Sequence, residues 1–221
     1  MEEINHKTPG IGEHFPEMTL NTTHGKINFP EDMKGKWVVL FSHPADFTPV
    51  CTSEFMAFAE EAPEFKKMNT ELIGLSIDGM SSHLKWVEWI KDNEGIEIPF
   101  PIIADNLGHV ASQLQMIQPA KGSSTIRAVY VIDDKGILRM ILLYPQEIGR
   151  NIDEIKRAVK ALQFSDKNKV AMPANWPHNR RYHDEVFLPP PQDEKQKQER
   201  IKMGKDGEVE CKDWWICTKK I

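Results

Sequence analysis

The sequence predicts an α/β fold, on three observations. The unbroken apolar run at 37–41 and the largely apolar runs at 72–77 and 100–104 have the composition of buried strands. Between them, apolar residues recur at steps of three and four, which is the spacing of one helix face. Two further strand-like stretches, 126–132 and 137–143, are joined through Asp133-Asp134-Lys135-Gly136, where glycine supplies the positive φ of a hairpin turn. Alternation of strand and helix implies right-handed crossovers and a largely parallel core.

Residues 1–36 are rich in turn formers, among them Pro9-Gly10, Gly12, Pro16, His24-Gly25 and Gly35, and read as short strands and loops covering one end of the sheet. Trp37 to Phe41 is the first buried strand, and Cys51, Phe55, Phe58, Ala62 and Phe65 mark the inner face of the helix after it. Leu72 to Ile77 is the second strand, ending at Asp78-Gly79. Ser81 or Ser82 is then expected to cap a helix carrying Leu84, Val87 and Ile90 inward. Phe100 to Ala104 forms a third strand and Asn106 to Leu114 a short helix. After the hairpin, Asn151 is placed to cap a helix whose Ile152, Ile155, Val159 and Leu162 are spaced for burial.

Parallel strands finished by an antiparallel hairpin and a helix read as thioredoxin-like. Composition changes after Phe164, so the expected organisation is a thioredoxin-like domain over 1–164 and a smaller C-terminal extension over 165–221. The extension holds Pro189-Pro190-Pro191, which is stiff and extended, and a solvated charge run from Asp193 to Arg200. No internal repeat is evident.

A chain of 221 residues accommodates one well-cored domain and a small appendage. Its net charge of −5 argues against nucleic acid as a partner. Met1 to Lys7 has no basic start and no apolar run follows, and no later stretch approaches membrane-spanning length; a soluble cytoplasmic protein is expected. In such a reducing compartment the three cysteines are expected to be working thiols.

The candidate chemistry lies in Ser42-His43-Pro44-Ala45-Asp46-Phe47-Thr48-Pro49-Val50-Cys51-Thr52, where a buried strand hands over to a helix. The first turn of a helix offers unpaired N–H groups and partial positive charge, which favour the thiolate that makes cysteine a nucleophile. Pro44 and Pro49 fix φ across the loop, and the Thr48 hydroxyl can donate and accept one turn before the sulfur. The plainer alternative is a buried, inert cysteine. Arg127 stands inside an apolar strand and needs an anion, unless its head reaches water from an edge strand. Arg150 precedes a helix N-terminus, where the macrodipole disfavours a cation. A locally broken rule of this kind often marks function. Glu54, on its own, reads as an acidic first-turn residue.

The pattern P-x-x-x-T-x-x-C formed by Pro44, Thr48 and Cys51, with its preceding strand, His43 and the following Thr-x-Glu, resembles the active-site signature of the peroxiredoxins. The Val170-Ala171-Met172-Pro173-Ala174-Asn175-Trp176 segment is similar to the C-terminal extension of their one-cysteine subfamily, so the resemblance covers nearly the whole chain. It implies that the Cys51 thiolate attacks the O–O bond of a hydroperoxide and becomes a sulfenic acid. It further implies that Thr48 and Arg127 polarise that bond, Pro44 shields the pocket, Arg150 pairs with Glu54, and His43 lies beside the bound peroxide. No metal or organic cofactor is implied. The phospholipase activity of mammalian relatives does not carry over, since no G-x-S-x-G is present.

The tail, Cys211-Lys212-Asp213-Trp214-Trp215-Ile216-Cys217, is expected to dock its tryptophans into a groove. A sulfenic acid condenses readily with a tethered thiol, so the tail reads as a resolving segment. Relatives from archaea and bacteria carry such a pair; by that resemblance Cys217 is the resolving thiol and Cys211 auxiliary. Two alternatives stand beside it. A structural Cys211–Cys217 disulfide runs against a reducing cytosol, and zinc held with His178 and His183 lacks C-x-x-C spacing. The implied partners are a hydroperoxide, a thioredoxin-like dithiol and a second copy of the chain, with dimers assembling into a decamer. A redox-regulated holdase chaperone is the alternative function. A thiol-disulfide oxidoreductase is disfavoured because Cys51 has no C-x-x-C partner.

Overall fold

The structure, a computed structural model, describes residues 8–118, 120 and 122–220. The Met1 to Lys7 segment read above for targeting signals lies outside the described residues. The chain divides into two compact units between Ile152 and Asp153.

In the first unit, strands β1 (Met18–Thr22), β2 (Gly25–Phe29) and β3 (Trp37–Ser42) precede helix α1 (Pro49–Lys67). Then come β4 (Thr70–Ser76), α2 (Met80–Glu94), β5 (Ile102–Ala104), α3 (His109–Gln113), β6 (Arg127–Ile132) and β7 (Leu138–Tyr144). Seven strands form one sheet in the order β2-β1-β5-β4-β3-β6-β7. Central β3 pairs in parallel with β4, from Trp37↔Thr70 to Ser42↔Leu75, and antiparallel with β6, from Val38↔Ile132 to Phe41↔Val129. All six of its residues are buried, because both faces of the sheet are covered. On one face Val38 and Leu40 join Leu75, Ala128 and Tyr130 in the main core. On the other, Phe41 stacks on Phe58 at 4.0 Å and meets Phe55 edge-on at 5.5 Å. Burying each such ring contributes about 1.5–3 kcal/mol.

Those rings fix α1 on the sheet. Pro49 occupies the first helical position, where its missing N–H costs nothing. Phe55, Phe58 and Phe65 face the strands. Gly74 of β4 lets the helix come close, since a β-carbon there would lie 3.1 Å from the Phe55 ring.

The thioredoxin-like α/β architecture is as expected, with three differences. Residues 18–29 form a hairpin that extends the sheet at β5 rather than covering its end; Leu20 is buried in the core there. Helix α2 begins at Met80 with Gly79 in the capping position, two to three residues before the expected serine caps. Its inner face is His83, Trp86 and Ile90, and Leu84 is 48% exposed. The bulk of Trp86 and the polar pairing of His83 outweigh the small aliphatic set.

The second unit holds most of α4 (Ile152–Asn168), then β8 (Val186–Phe187), α5 (Glu194–Lys205), β9 (Glu210–Asp213) and β10 (Ile216–Lys219). Ile155 and Val159 are fully buried as expected. Ala161, Val170, Trp176 and Val186 make a small core, with Phe164 against the Trp176 ring at 5.3 Å. The strands form a sheet ordered β8-β10-β9. Among the described residues no helix is long and apolar enough to cross a membrane.

Candidate active site

Cys51 lies in the first turn of α1, fully buried, and is a free thiol. The amides of Val50 and Cys51 precede the first intrahelical hydrogen bond of this turn, which Thr52 N donates to Thr48 O over 2.9 Å. Arg127, at the start of β6, places Nη1 3.4 Å from the Cys51 sulfur. The same nitrogen donates to Glu54 Oε2 over 2.6 Å, while Arg127 Nε and Nη2 both donate to the Gln146 carbonyl, over 2.9 and 2.8 Å. All three nitrogens of this guanidinium have a protein partner.

Glu54 is the hub. It lies in the second turn of α1 rather than the first, one turn beyond Cys51, and accepts from two arginines at once. Arg150 donates to Glu54 Oε1 through its backbone N, over 2.7 Å, and through Nε, over 2.8 Å, and to Oε2 through Nη2 over 2.8 Å. Arg150 Nη1 spans to the carbonyls of Ser42 and Ala128 at 2.8 and 2.9 Å. Burial pulls Arg150 below the ordinary guanidinium range, and Glu54 opposes that pull. All three side chains are at most 3% exposed. Two cations against one anion leave a surplus positive charge beside the sulfur. The helix-start placement of Arg150, unfavourable locally, is offset by this pairing.

Thr48 precedes α1 with extended backbone, and its hydroxyl donates to Ala45 O over 2.9 Å, leaving its lone pairs as acceptors. A cavity of about 390 Å³ opens at this loop, lined by Phe47, Thr48, Thr52, Trp86 and Trp89 among others. Pro44 lies half-buried in the same loop.

His43 has no exposed surface. Its Nε2 meets Asp46 Oδ1 at 2.8 Å, and the same carboxylate meets Nδ1 of His83 at 2.8 Å. Burial alone would raise Asp46, but the two imidazole partners outweigh it and hold the carboxyl well below the usual carboxylate range. Burial of His43 outweighs its carboxylate neighbour and lowers it from 6.5, so the ring is neutral at neutral pH. An ionised Asp46 only accepts, so both contacting nitrogens carry the proton. Among the described residues this is the one group of three side chains with metal-ligand chemistry; its ligand atoms are already spent on one another.

The structure thus gathers Cys51, Glu54, Arg127 and Arg150 into one bonded network, and sets Thr48, Pro44 and His43 on the adjoining loop. Asp46 and His83 were not anticipated. The signal available was a histidine on the buried side of α2. In the second unit Cys211 and Cys217 are bonded to each other across β9 and β10. The disulfide alternative is therefore the state seen, and the zinc alternative lacks free thiolates. The tryptophans do not both dock: Trp214 is half-buried under Lys197 Nζ, 5.6 Å from its ring, but Trp215 is 54% exposed.

Residues 11–141 match the AhpC/TSA family, and residues 161–204 match the C-terminal domain of 1-Cys peroxiredoxin. A peroxiredoxin of Methanocaldococcus jannaschii is 59% identical over 215 residues, covering 96% of this chain and 99% of its own. One of Archaeoglobus fulgidus is 58% identical over 213 residues, again covering 96% and 99%. Among solved structures, yeast mitochondrial 1-Cys peroxiredoxin, described for its thiol resolving mechanism via glutathione/thioredoxin systems, superposes with a TM-score of 0.83. It shows 39% identity over 96% of this chain and 99% of that one.

Removing one member of the buried triad leaves charge uncompensated. Glu54→Ala is expected to destabilise the protein by about 3–5 kcal/mol and to lower its melting temperature by roughly 10 °C, read by calorimetry. A pH effect follows from the other cluster. Folded His43 and Asp46 bind protons more weakly than at their ordinary values of 6.5 and 3.8, so their stabilisation is complete above 6.5 and is lost as pH falls toward the folded values. The melting temperature should fall from about pH 7 to about pH 4, with a shallower slope in His43→Asn over the upper half of that range.

Proposed function

The chain belongs to the peroxiredoxins, which are thiol peroxidases, and we propose that it reduces hydrogen peroxide and small organic hydroperoxides through Cys51. The observation that carries this reading is the Arg127 guanidinium 3.4 Å from a free cysteine sulfur, inside a buried charge cluster with a surplus positive charge. A thiolate at Cys51 is the anion that balances it.

The thiolate attacks the distal peroxide oxygen: an S–O bond forms, the O–O bond breaks, and its electron pair leaves on hydroxide or alkoxide, which takes up a proton. Arg127 and the first-turn amides stabilise the developing charge, and the Thr48 oxygen, whose own proton goes to Ala45 O, accepts from the hydroperoxide O–H. Pro44 shields the pocket, His43 borders the bound peroxide, and Arg150 with Glu54 holds Arg127. Cys217 of a neighbouring copy then displaces water from the Cys51 sulfenic acid, forming a disulfide. Exchange with Cys211 frees Cys51 and leaves the Cys211–Cys217 pair, which supports this order because it is the bond present. A thioredoxin-like dithiol reduces that pair in a cytoplasmic setting. In this reading residues 1–164 are the peroxidase domain and 165–221 the resolving arm.

Self-association is part of the reading. β7 is a sheet edge with half-buried Ile141 and Leu142 and exposed Leu143, a surface suited to pairing with a second copy. Exposed Phe47, Leu84 and Trp89 offer a second apolar surface, which supports assembly of dimers into a decamer.

Cys51→Ser is expected to abolish peroxide consumption, and Cys217→Ser to permit one turnover followed by over-oxidation, both followed by dithiol-coupled assay and mass spectrometry. Turnover retained in Cys51→Ser would exclude the mechanism. In a Cys211→Ser chain the Cys51–Cys217 disulfide cannot be passed on; a disulfide-linked dimer on a nonreducing gel after one equivalent of peroxide supports resolution between chains, and an altered monomer alone argues for resolution within one.

A further inference from the structure

Asp46 is a buried carboxylate in the loop between β3 and α1, and its surroundings tie that loop to α2. Its side chain is 1% exposed, and the two imidazoles that meet it have no exposed side-chain surface. His83 approaches both carboxylate oxygens with one nitrogen, at 3.1 and 2.8 Å. The Asp46 backbone N donates to Asp78 Oδ2 over 2.9 Å, and Asp78 in turn takes the Ser76 hydroxyl at 2.8 Å. At the loop's start His43 N donates to Leu75 O over 2.9 Å, and the His43 carbonyl accepts from the Thr125 hydroxyl. Toward its end Thr48 is fastened only one residue before Asp46, through the Ala45 carbonyl.

The loop is therefore held at both flanks by backbone bonds, and in its middle by the Asp46 N–H on Asp78 and by the Asp46 carboxylate on the two imidazoles. Half of that carboxylate's imidazole pairing comes from α2. A buried carboxylate that loses a donor must find another or take up a proton. A carboxylate that turns toward another donor shifts Asp46, and with it Ala45 and the Thr48 hydroxyl bonded to Ala45. His83 is also an odd choice for a buried helix face unless its ring nitrogen is in use: its Nε2 is buried without a partner, so only the bond to Asp46 offsets the desolvation.

We propose that His83, acting through the Asp46 carboxylate, is a positioning residue that holds the Pro44 to Thr48 loop in its peroxide-binding arrangement. The inference rests on the peroxidase reading of Cys51. It assigns His83 no contact with substrate. Its signature is a selective defect, because the loop orients the peroxide while the sulfur keeps its own partner in Arg127.

The test compares wild-type chain with His83→Leu, His83→Asn and His83→Gln. The amide nitrogen of Asn stands where Nδ1 does and can donate to Asp46, whereas that of Gln stands nearer Nε2 and cannot. Two rates are read on each: kcat/KM for hydrogen peroxide, and alkylation of Cys51 by iodoacetamide, followed by peptide mass spectrometry. The expected result is a loss of kcat/KM of about tenfold or more in His83→Leu and His83→Gln, the rate equivalent of one hydrogen bond to a charged group. Alkylation should be unchanged and His83→Asn should be close to wild type. If His83→Leu does not fold, the Asn and Gln pair carries the comparison. Equal kcat/KM in all four chains, or peroxide and alkylation rates falling in parallel, would overturn the positioning role. A wild-type chain that is alkylated but consumes no peroxide would instead sink the underlying peroxidase reading.

Discussion

The first unit's functional end depends on one carboxylate shared by two arginines. Glu54 comes from α1, Arg127 from β6 and Arg150 from the segment after β7, so the cluster ties together three parts of the chain that are far apart in sequence. Taking each charge out of water costs several kcal/mol, and a buried ion pair alone does not reliably recover that. Here every guanidinium nitrogen is bonded: Arg127 also reaches the Gln146 carbonyl, and Arg150 those of Ser42 and Ala128. Bonding at every guanidinium nitrogen makes the arrangement sustainable, and it fixes one geometry because a guanidinium fork satisfies those acceptors in only one orientation.

That geometry decides what surrounds the sulfur. The macrodipole at a helix start is worth about 0.3–1 kcal/mol to an anion. A guanidinium at about 4 Å in a partly polar interior is worth about 4 kcal/mol before its other partners are counted. Sharing with Glu54 reduces the second figure, but Arg127 remains the larger effect. The helix end supplies amide donors for a reacting oxygen, and the arginine supplies the charge. Packing sets the distance between them: Phe55 and Phe58 seat α1 against Phe41, and Gly74 leaves room for the Phe55 ring.

Much of this was legible in the sequence, and what was not has local reasons. Strands at 37–41, 72–77 and 126–132 announce themselves because a strand buried on both faces is predominantly apolar, and 137–143, an edge strand, through the turn that joins it to 126–132. Cys51, Arg127 and Arg150 stood out because a thiol or cation in an apolar context requires a partner. The β1–β2 hairpin was obscure, since its strands are half-exposed and it joins the sheet through the single pair Thr22↔Ile103. The inner face of α2 was misread because Leu84 fits an aliphatic periodicity, whereas the face is set by Trp86 and by His83 reaching a carboxylate 37 positions away. Such a bond has no sequence signal until the fold brings its ends together. The tail cysteines were legible as a pair, but their bonding to each other rather than standing free depends on facing positions in β9 and β10.

The central claim is that Cys51 is oxidised by peroxide because Arg127 stands beside it. The most direct test uses a chain in which Cys211 and Cys217 are both replaced by serine, so that Cys51 is the only thiol, with and without Arg127→Gln. Stopped-flow mixing with one equivalent of hydrogen peroxide, followed by dimedone capture and mass spectrometry, reads the sulfenic acid at that sulfur. The account predicts rapid adduct formation on Cys51, slowed about a hundredfold or more without the arginine. A Cys51 that stays unmodified, or that is oxidised at the same rate in both chains, would contradict it.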